Sequence, residues 1–273
     1  MIHDTSKQSR GKSIRQPIGN TTLVKKKVRQ YIIYIIIFIV IYGLFFSNFF
    51  RIKYIEVAGN QAINTTEIEN LIWQSVDKHI LLLFNRSNFW LLSTNYLLDN
   101  IAQQYSFEDI TITKKFPNTL RLQIIERLGR LVWQTNDMYY VLDAKGIITR
   151  QLQELHLIQK TNIPVVVDRA NTEILIGDRV MSIELSSSII EASEVYDQLI
   201  TKPELAFDYF EVNEDRDTLY KIITKSGLEI HLNNSSPAQE QLTKLKRVLD
   251  SQTINLNNIS YINLRIRDQV IYK

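Results

Sequence analysis

Three short strings in this 273-residue chain have the residue types for acyl transfer. Ser75-x-x-Lys78, Ser93-x-Asn95 and Lys225-Ser226-Gly227, in that order, match the motif set of an enzyme whose lysine takes the proton of an attacking serine hydroxyl. That chemistry needs the serine and lysine within hydrogen-bond reach at the start of a rigid helix. Ser75 instead falls late in a helix marked by periodicity, and Ser93 follows it closely. Ser93 suits a helix N-cap, and Lys225 to Gly227 a hairpin turn. Patterns this short also arise by chance, so the chain is read as non-catalytic.

Other constellations are weaker still. His3, His79, His156 and His231 lie far apart and lack ligand spacing. There is no cysteine, which removes disulfides, thiolate metal sites and a cysteine nucleophile. Asp208, Glu211, Glu214, Asp215 and Asp217 cluster without calcium-loop spacing and read as a solvated face. No metal, cofactor or small-molecule substrate is expected. Trp73, Trp90 and Trp133 read equally as core anchors or as partly exposed contacts.

The element that places everything else is the apolar run Tyr31 to Phe50 (YIIYIIIFIVIYGLFFSNFF). As a helix, twenty such residues reach about 30 Å, the thickness of a bilayer core. Its end and the residues after it, SNFFRIKY, offer no small-residue cleavage site, so an uncleaved transmembrane helix at 31–50 is expected. Of the chain's 32 Lys and Arg and 29 Asp and Glu, residues 1–30 take eight bases and one acid, leaving 24 and 28. The basic segment should therefore stay cytoplasmic as a disordered tail, with Lys25, Lys26, Lys27 and Arg29 facing anionic headgroups. The chain's positive balance belongs to that tail, so nucleic acid is not an expected partner.

Beyond the span, β-rich residues run from Ile52 to a turn at Ala58-Gly59-Asn60. Thr65 and Thr66 offer an N-cap to a helix with Ile68, Leu71, Ile72 and Val76 on one face. A second helix begins near Ser93, with Leu97, Leu98, Ile101 and Tyr105 on its stripe. Asp109–Lys115 and Thr119–Glu126 alternate and are joined at Phe116-Pro117-Asn118, which predicts a hairpin. The order β-α-α-β-β predicts a small α+β layer with both helices on one face of three strands.

FRIKYIEVAGNQAINTTEIENLI together with ITITKKFPNTLRLQIIERLGRLVW resembles the POTRA domain of the bacterial cell-division FtsQ/DivIB family. The Val57-Ala58-Gly59-Asn60 turn, Lys115 to Leu120 and Glu126-Arg127 carry the likeness. It continues through Tyr139 to Arg150, Ile163 to Asp168 and Gly177 to Val180. A helix over Ile183–Lys202, strands at 207–213, 218–225 and 227–232, a helix opened by Pro237 and an alternating stretch from Ile259 to Arg267 follow in order. Two positions depart from the family pattern: Leu128-Gly129 where proline usually follows Glu-Arg, and Asn263 in place of aspartate. The fold class expected is α+β: one transmembrane helix, a POTRA domain at 51–128 and a β-rich mixed α+β domain at 129–273.

The resemblance implies a single-pass protein of the bacterial inner membrane at the division septum, its amino terminus cytoplasmic. It also implies a scaffold that helps control septal wall synthesis and binds the coiled-coil division protein FtsB, paired with FtsL, by β-strand addition. A strand near a chain end tends to form a sheet edge, and Ile262, Leu264 and Ile266 alternate with Asn263, Arg265 and Arg267. The partner-binding residues expected are Tyr261, Asn263, Arg265, Ile266, Arg267, Asp268, Gln269, Val270 and Ile271. A weaker second surface is Glu108, Ile110, Ile112, Lys114 and Lys115, where the lysines could equally guard a bare edge. Two rivals accompany this reading: a POTRA-bearing envelope or secretion component, and a serine acyl-transferase of penicillin-binding type.

Overall fold

A computed structural model describes residues 21–77, 79–81, 84–85, 87–152, 163–213, 217–251 and 254–273. Helix α1 spans Thr21–Phe46, and its Lys25–Phe46 portion is long and apolar enough to cross a membrane, with no residue of its apolar window buried among the described residues. It departs from the expected 31–50 at both ends. Residues 21–30, read as part of a disordered tail, are helical, while residues 1–20 lie outside the described residues. The helix stops at Phe46 because Ser47 is extended and its hydroxyl accepts from Phe49 N, which starts a separate 3-10 turn at Asn48–Phe50.

The first layer is built from β1 (Tyr54–Ala58), α2 (Thr65–Val76), a small hairpin of β2 (His79–Leu81) and β3 (Phe84–Asn85), α3 (Thr94–Ala102), β4 (Asp109–Lys115) and β5 (Thr119–Ile125). The sheet order is β1-β5-β4, with β5 parallel to β1 and antiparallel to β4. Leu120, Leu122 and Ile124 of β5 face Ile68, Leu71, Ile72 and Val76 of α2 and Leu97 and Ile101 of α3, so the two helical stripes close one apolar core. Ser93 caps α3 as expected. Asn64, not Thr65 or Thr66, caps α2, its side chain accepting from Thr66 N, which moves the helix start one residue earlier. Gly59 stands at φ +93° against Ile124 O, where any Cβ would collide, so this turn requires glycine.

The second layer holds β6 (Leu131–Thr135), β7 (Met138–Leu142), β8 (Ile148–Leu152), β9 (Val165–Asp168), α4 (Ile183–Leu199), β10 (Phe207–Val212), β11 (Leu219–Thr224), β12 (Glu229–Asn233), α5 (Ala238–Asp250), β13 (Tyr261–Asn263) and β14 (Ile271–Tyr272). These strands form one mixed sheet in the order β14-β13-β12-β11-β10-β9-β6-β7-β8. α4 and α5 pack on one face, where Leu185, Ile189, Leu242 and Leu245 meet Ile222, Ile230 and Ile262. The two layers together make a mixed α+β architecture.

At one end of the large sheet, the outer side of β8 is covered by its own chain over Ile148 to Arg150. Gly177 N donates to Ile148 O and Ile148 N to Asp178 O, both at 2.9 Å, and Ser106 N of the first layer donates to Thr149 O at 2.6 Å. The Glu126-Arg127 pair completes the joint. Arg127 Nη1 meets Asp143 Oδ2 at 3.0 Å and its Nε donates to Phe107 O, while the buried Glu126 carboxylate accepts from the backbone N–H groups of Gln61, Ala62 and Ile63 at 2.6, 3.0 and 3.4 Å. The carboxylate thus occupies three donors of the turn after β1 that would otherwise compete for water.

Candidate functional site

The other end of the large sheet is where partner binding was expected, and its geometry differs from the simple alternation. Ile262 and Leu264 are fully buried, and β13 pairs in parallel with β12 through Glu229↔Tyr261, Ile230↔Ile262 and His231↔Asn263. The stretch does not run on to Arg267 as a strand. Asn263 Oδ1 accepts from both the N–H and Nε of Arg265 at 3.0 Å, and Lys244 Nζ on α5 donates to Leu264 O and Ile266 O at 2.8 Å. Asp268, at φ +60°, reverses the chain, and β14 returns antiparallel along β13.

The expected edge strand is therefore sheltered: β13 has β12 on one side and β14 on the other. Ile266, expected to point inward with Ile262 and Leu264, is 42 % exposed because the turn ends the two-residue period after Leu264. Among the described residues, the open edge is β14. Tyr261 and Lys273 exchange N–H to O bonds of 3.1 and 3.2 Å, so by antiparallel alternation Ile271 bonds inward as well, and the N–H and C=O of Tyr272 face outward. Val270 is half-buried against the core and pins this return strand.

The nine expected residues thus separate by role. Tyr261 stacks on His231 at 5.2 Å, Asn263 caps the turn, Val270 anchors, and Ile271 pairs with β13. Ile266 and Gln269 are exposed in the turn, where Gln269 N donates to Ile266 O. Arg265, Arg267 and Asp268 line a shallow groove of about 580 Å³ against Glu240, Lys244 and Arg247 of α5. The four cations there outnumber the two acids, which suits an acidic segment. Desolvation draws Lys244 below its ordinary value of 10.5, with Asp268 and Glu240 opposing it. Tyr272, Lys244 and Arg247 were not among the expected residues. The reversal at Asp268 was not read from the sequence, and β14, two residues long, is too short to show a period of its own.

A charged ladder, half-buried at its centre, crosses the strands toward the same edge. Arg169 Nε meets Glu211 at 2.7 Å, Glu211 meets Lys221 at 3.3 Å, Lys221 meets Glu229 at 3.0 Å, and Glu229 meets His231 at 2.8 Å. Burial pushes the Glu229 carboxyl upward, but hydrogen bonds from His231 and Lys221 outweigh it and hold the pKa below the usual 4.5. A carboxyl lowered in the folded state stabilises the fold above its unfolded pKa, and that contribution is lost as pH falls through the folded value. Glu229→Gln should flatten the acid limb of a stability profile below pH 4.5, read by denaturant unfolding at stepped pH. A limb of unchanged slope would show that the ladder carries no such linkage.

On the second expected surface, β4 is an end strand, but its side chains are engaged within the chain. Ile110 and Ile112 turn to the core, Glu108 pairs with Lys145 at 3.1 Å, and Lys115 with Glu56 at 3.5 Å. Lys114 Nζ donates to Phe89 O and Leu92 O.

The acyl-transfer motifs are differently employed. Ser75 is buried late in α2 and its hydroxyl donates to Leu71 O, whereas Lys78 lies outside the described residues. Ser93 caps α3, and Ser226 sits in the β11–β12 hairpin donating to Glu204 O. His231 belongs to the ladder and His79 to β2; His3 and His156, with Glu214 and Asp215, lie outside the described residues.

Two family models match the chain in tandem. The POTRA domain, FtsQ-type, matches residues 50–127, and the C-terminal domain of cell division protein FtsQ/DivIB matches residues 131–265. Among curated relatives, cell division protein DivIB of Clostridium acetobutylicum is 28 % identical over 148 residues, covering 53 % of this chain and 55 % of the relative. FtsQ of Rickettsia typhi is 24 % identical over 51 % of this chain and 56 % of its own length. FtsQ of Syntrophotalea carbinolica is 23 % identical over 84 % of this chain and 76 % of its own. The chain spans about half the length of the first two relatives. With both domain models in register behind one apolar helix, the chain belongs to the FtsQ/DivIB family of cell-division proteins.

Proposed function

We propose that the chain is a non-catalytic, single-pass membrane scaffold of the division machinery. It would keep a basic cytoplasmic tail, a membrane-spanning helix, a POTRA domain at about 51–128 and a β-rich domain at about 129–273 on the far side of the inner membrane, at the septum. Its partners are the membrane and division proteins resembling FtsB and FtsL, and through them it helps control septal wall synthesis. The observation that carries this is the open backbone of Tyr272, among the described residues, at one end of a nine-stranded sheet whose other end is partly covered by Gly177, Asp178 and Ser106. An extended acidic segment would add as a tenth strand there, its backbone on Tyr272 and its carboxylates toward Arg265, Arg267, Lys244 and Arg247.

Capture of a purified FtsB/FtsL-like coiled-coil pair on the immobilised full chain tests the reading, with amide exchange to locate the contact. Protection confined to Val270–Lys273 and α5 is expected. Protection elsewhere, or no capture, would refute the strand-addition site. A fluorescent β-lactam probe tests the absence of acyl transfer: covalent labelling of Ser75 would overturn it.

A further inference from the structure

A second surface lies at the foot of the first layer, away from β14. Phe50 packs within 5.0 Å of Phe49, 6.1 Å of Trp90 and 5.9 Å of Phe116, between ring centroids. Phe49, Trp90 and Phe116 remain 55, 50 and 61 % exposed, an apolar patch that no described residue covers.

Its position relative to α1 is fixed by one side chain. Asn88 Nδ2 donates to Leu44 O at 2.9 Å and Phe45 O at 3.1 Å, carbonyls at the helix end that have no following helical N–H to bond. Asn88 Oδ1 accepts from Trp90 N at 2.8 Å. One amide thus ties the last turn of the apolar helix to the backbone of the exposed tryptophan. The chain leaving the helix is held to the same loop: Phe89 N donates to Phe50 O at 2.7 Å, and Ile52 N to Ser87 O at 2.8 Å. Arg51 follows Phe50 in the chain and Lys115 precedes Phe116; both are exposed, Arg51 donating to Ser87 Oγ and Lys115 shared with Glu56.

Aromatic rings partition to the boundary between headgroups and acyl chains, where the indole N–H stays wet, and cations beside them meet lipid phosphates. We propose, resting on the membrane-spanning reading of α1, that Phe49, Trp90 and Phe116 form a foot that seats the first domain in the interfacial zone of the phospholipid bilayer. The occupant is lipid because the patch continues directly from the apolar helix within one three-residue 3-10 turn, Asn48–Phe50, which at about 2 Å per residue advances the chain by only about 6 Å.

The test uses the full chain in phospholipid nanodiscs at one copy per disc. Retention in the disc under alkaline extraction reports anchoring. Trp90 emission is isolated as the difference between the unaltered chain and Trp90→Phe, since Trp73 and Trp133 remain in both. Lipids brominated near the headgroup should reduce that emission by roughly half or more, and acrylamide access to Trp90 should fall against the same chain in which the rings are open to solvent. If the chain is retained but Trp90 is quenched by acrylamide and not by brominated lipid, the foot is refuted and the anchor stands. If Trp90 becomes shielded only at two copies per disc, a second chain covers the rings and the proposal is overturned. Failure of retention overturns the anchor, and with it the foot.

Discussion

Tyr272→Pro should weaken capture of a coiled-coil division partner tenfold or more, about 1.4 kcal/mol, while leaving the melting temperature within about a degree of the unaltered chain. The separation of effects follows from register. Tyr272 opposes Ile262 in a non-hydrogen-bonded pair of the β13–β14 ladder, so its N–H is not used inside the protein. Proline removes that outward donor and is tolerated on an edge strand. Tyr272→Ala, which keeps the N–H, should lose much less and so distinguishes backbone recognition from ring packing. Ile271→Pro removes an inward donor instead and should loosen β14 itself, visible as faster amide exchange at Lys273. Equal capture by the unaltered chain and Tyr272→Pro would end the strand-addition hypothesis.

Glu126→Ala should cost roughly 3 to 5 kcal/mol, lowering the melting temperature of the folded region by roughly 6 to 20 °C. The side chain is almost fully buried, and its removal leaves the N–H groups of Gln61, Ala62 and Ile63 without an acceptor in the protein, the buried Ile63 most of all. The same carboxylate lies 3.8 Å from Arg150 on β8, so the loss reaches the joint between the two layers as well as the turn after β1. Glu126→Gln keeps one oxygen acceptor and should recover part of the stability. Amide exchange at residues 61–63 is the local readout. Unchanged protection there in Glu126→Ala would show that the carboxylate does not hold the turn.

Both predictions lie where linear pattern was least informative. Alternation from Ile259 to Arg267 placed Ile262 and Leu264 in the core correctly, because inward position depends only on a two-residue period. It placed Ile266 wrongly, because Asn263 and Lys244 bond the following backbone and end the period, and Lys244 is brought there by α5 from 22 residues away. Ser93 and Pro237 were readable as helix starts because a cap or a fixed φ acts within one turn. Asn64 was passed over for the two threonines beside it, a choice between adjacent residues that local preference does not separate.

What the sequence by itself determined is the identity of the elements: one apolar helix, a β-α-α-β-β module, and a strand-rich domain with two amphipathic helices, each specified by hydrophobic period, turn residues and caps within a dozen positions. Only the tertiary structure decided which strand is left unpaired. Sheet order is set by contacts between segments far apart in the chain, such as Ser106 on Thr149 and β14 folding back on β13, and the periodicity of a strand records which of its sides is apolar but not whether its backbone has a neighbour.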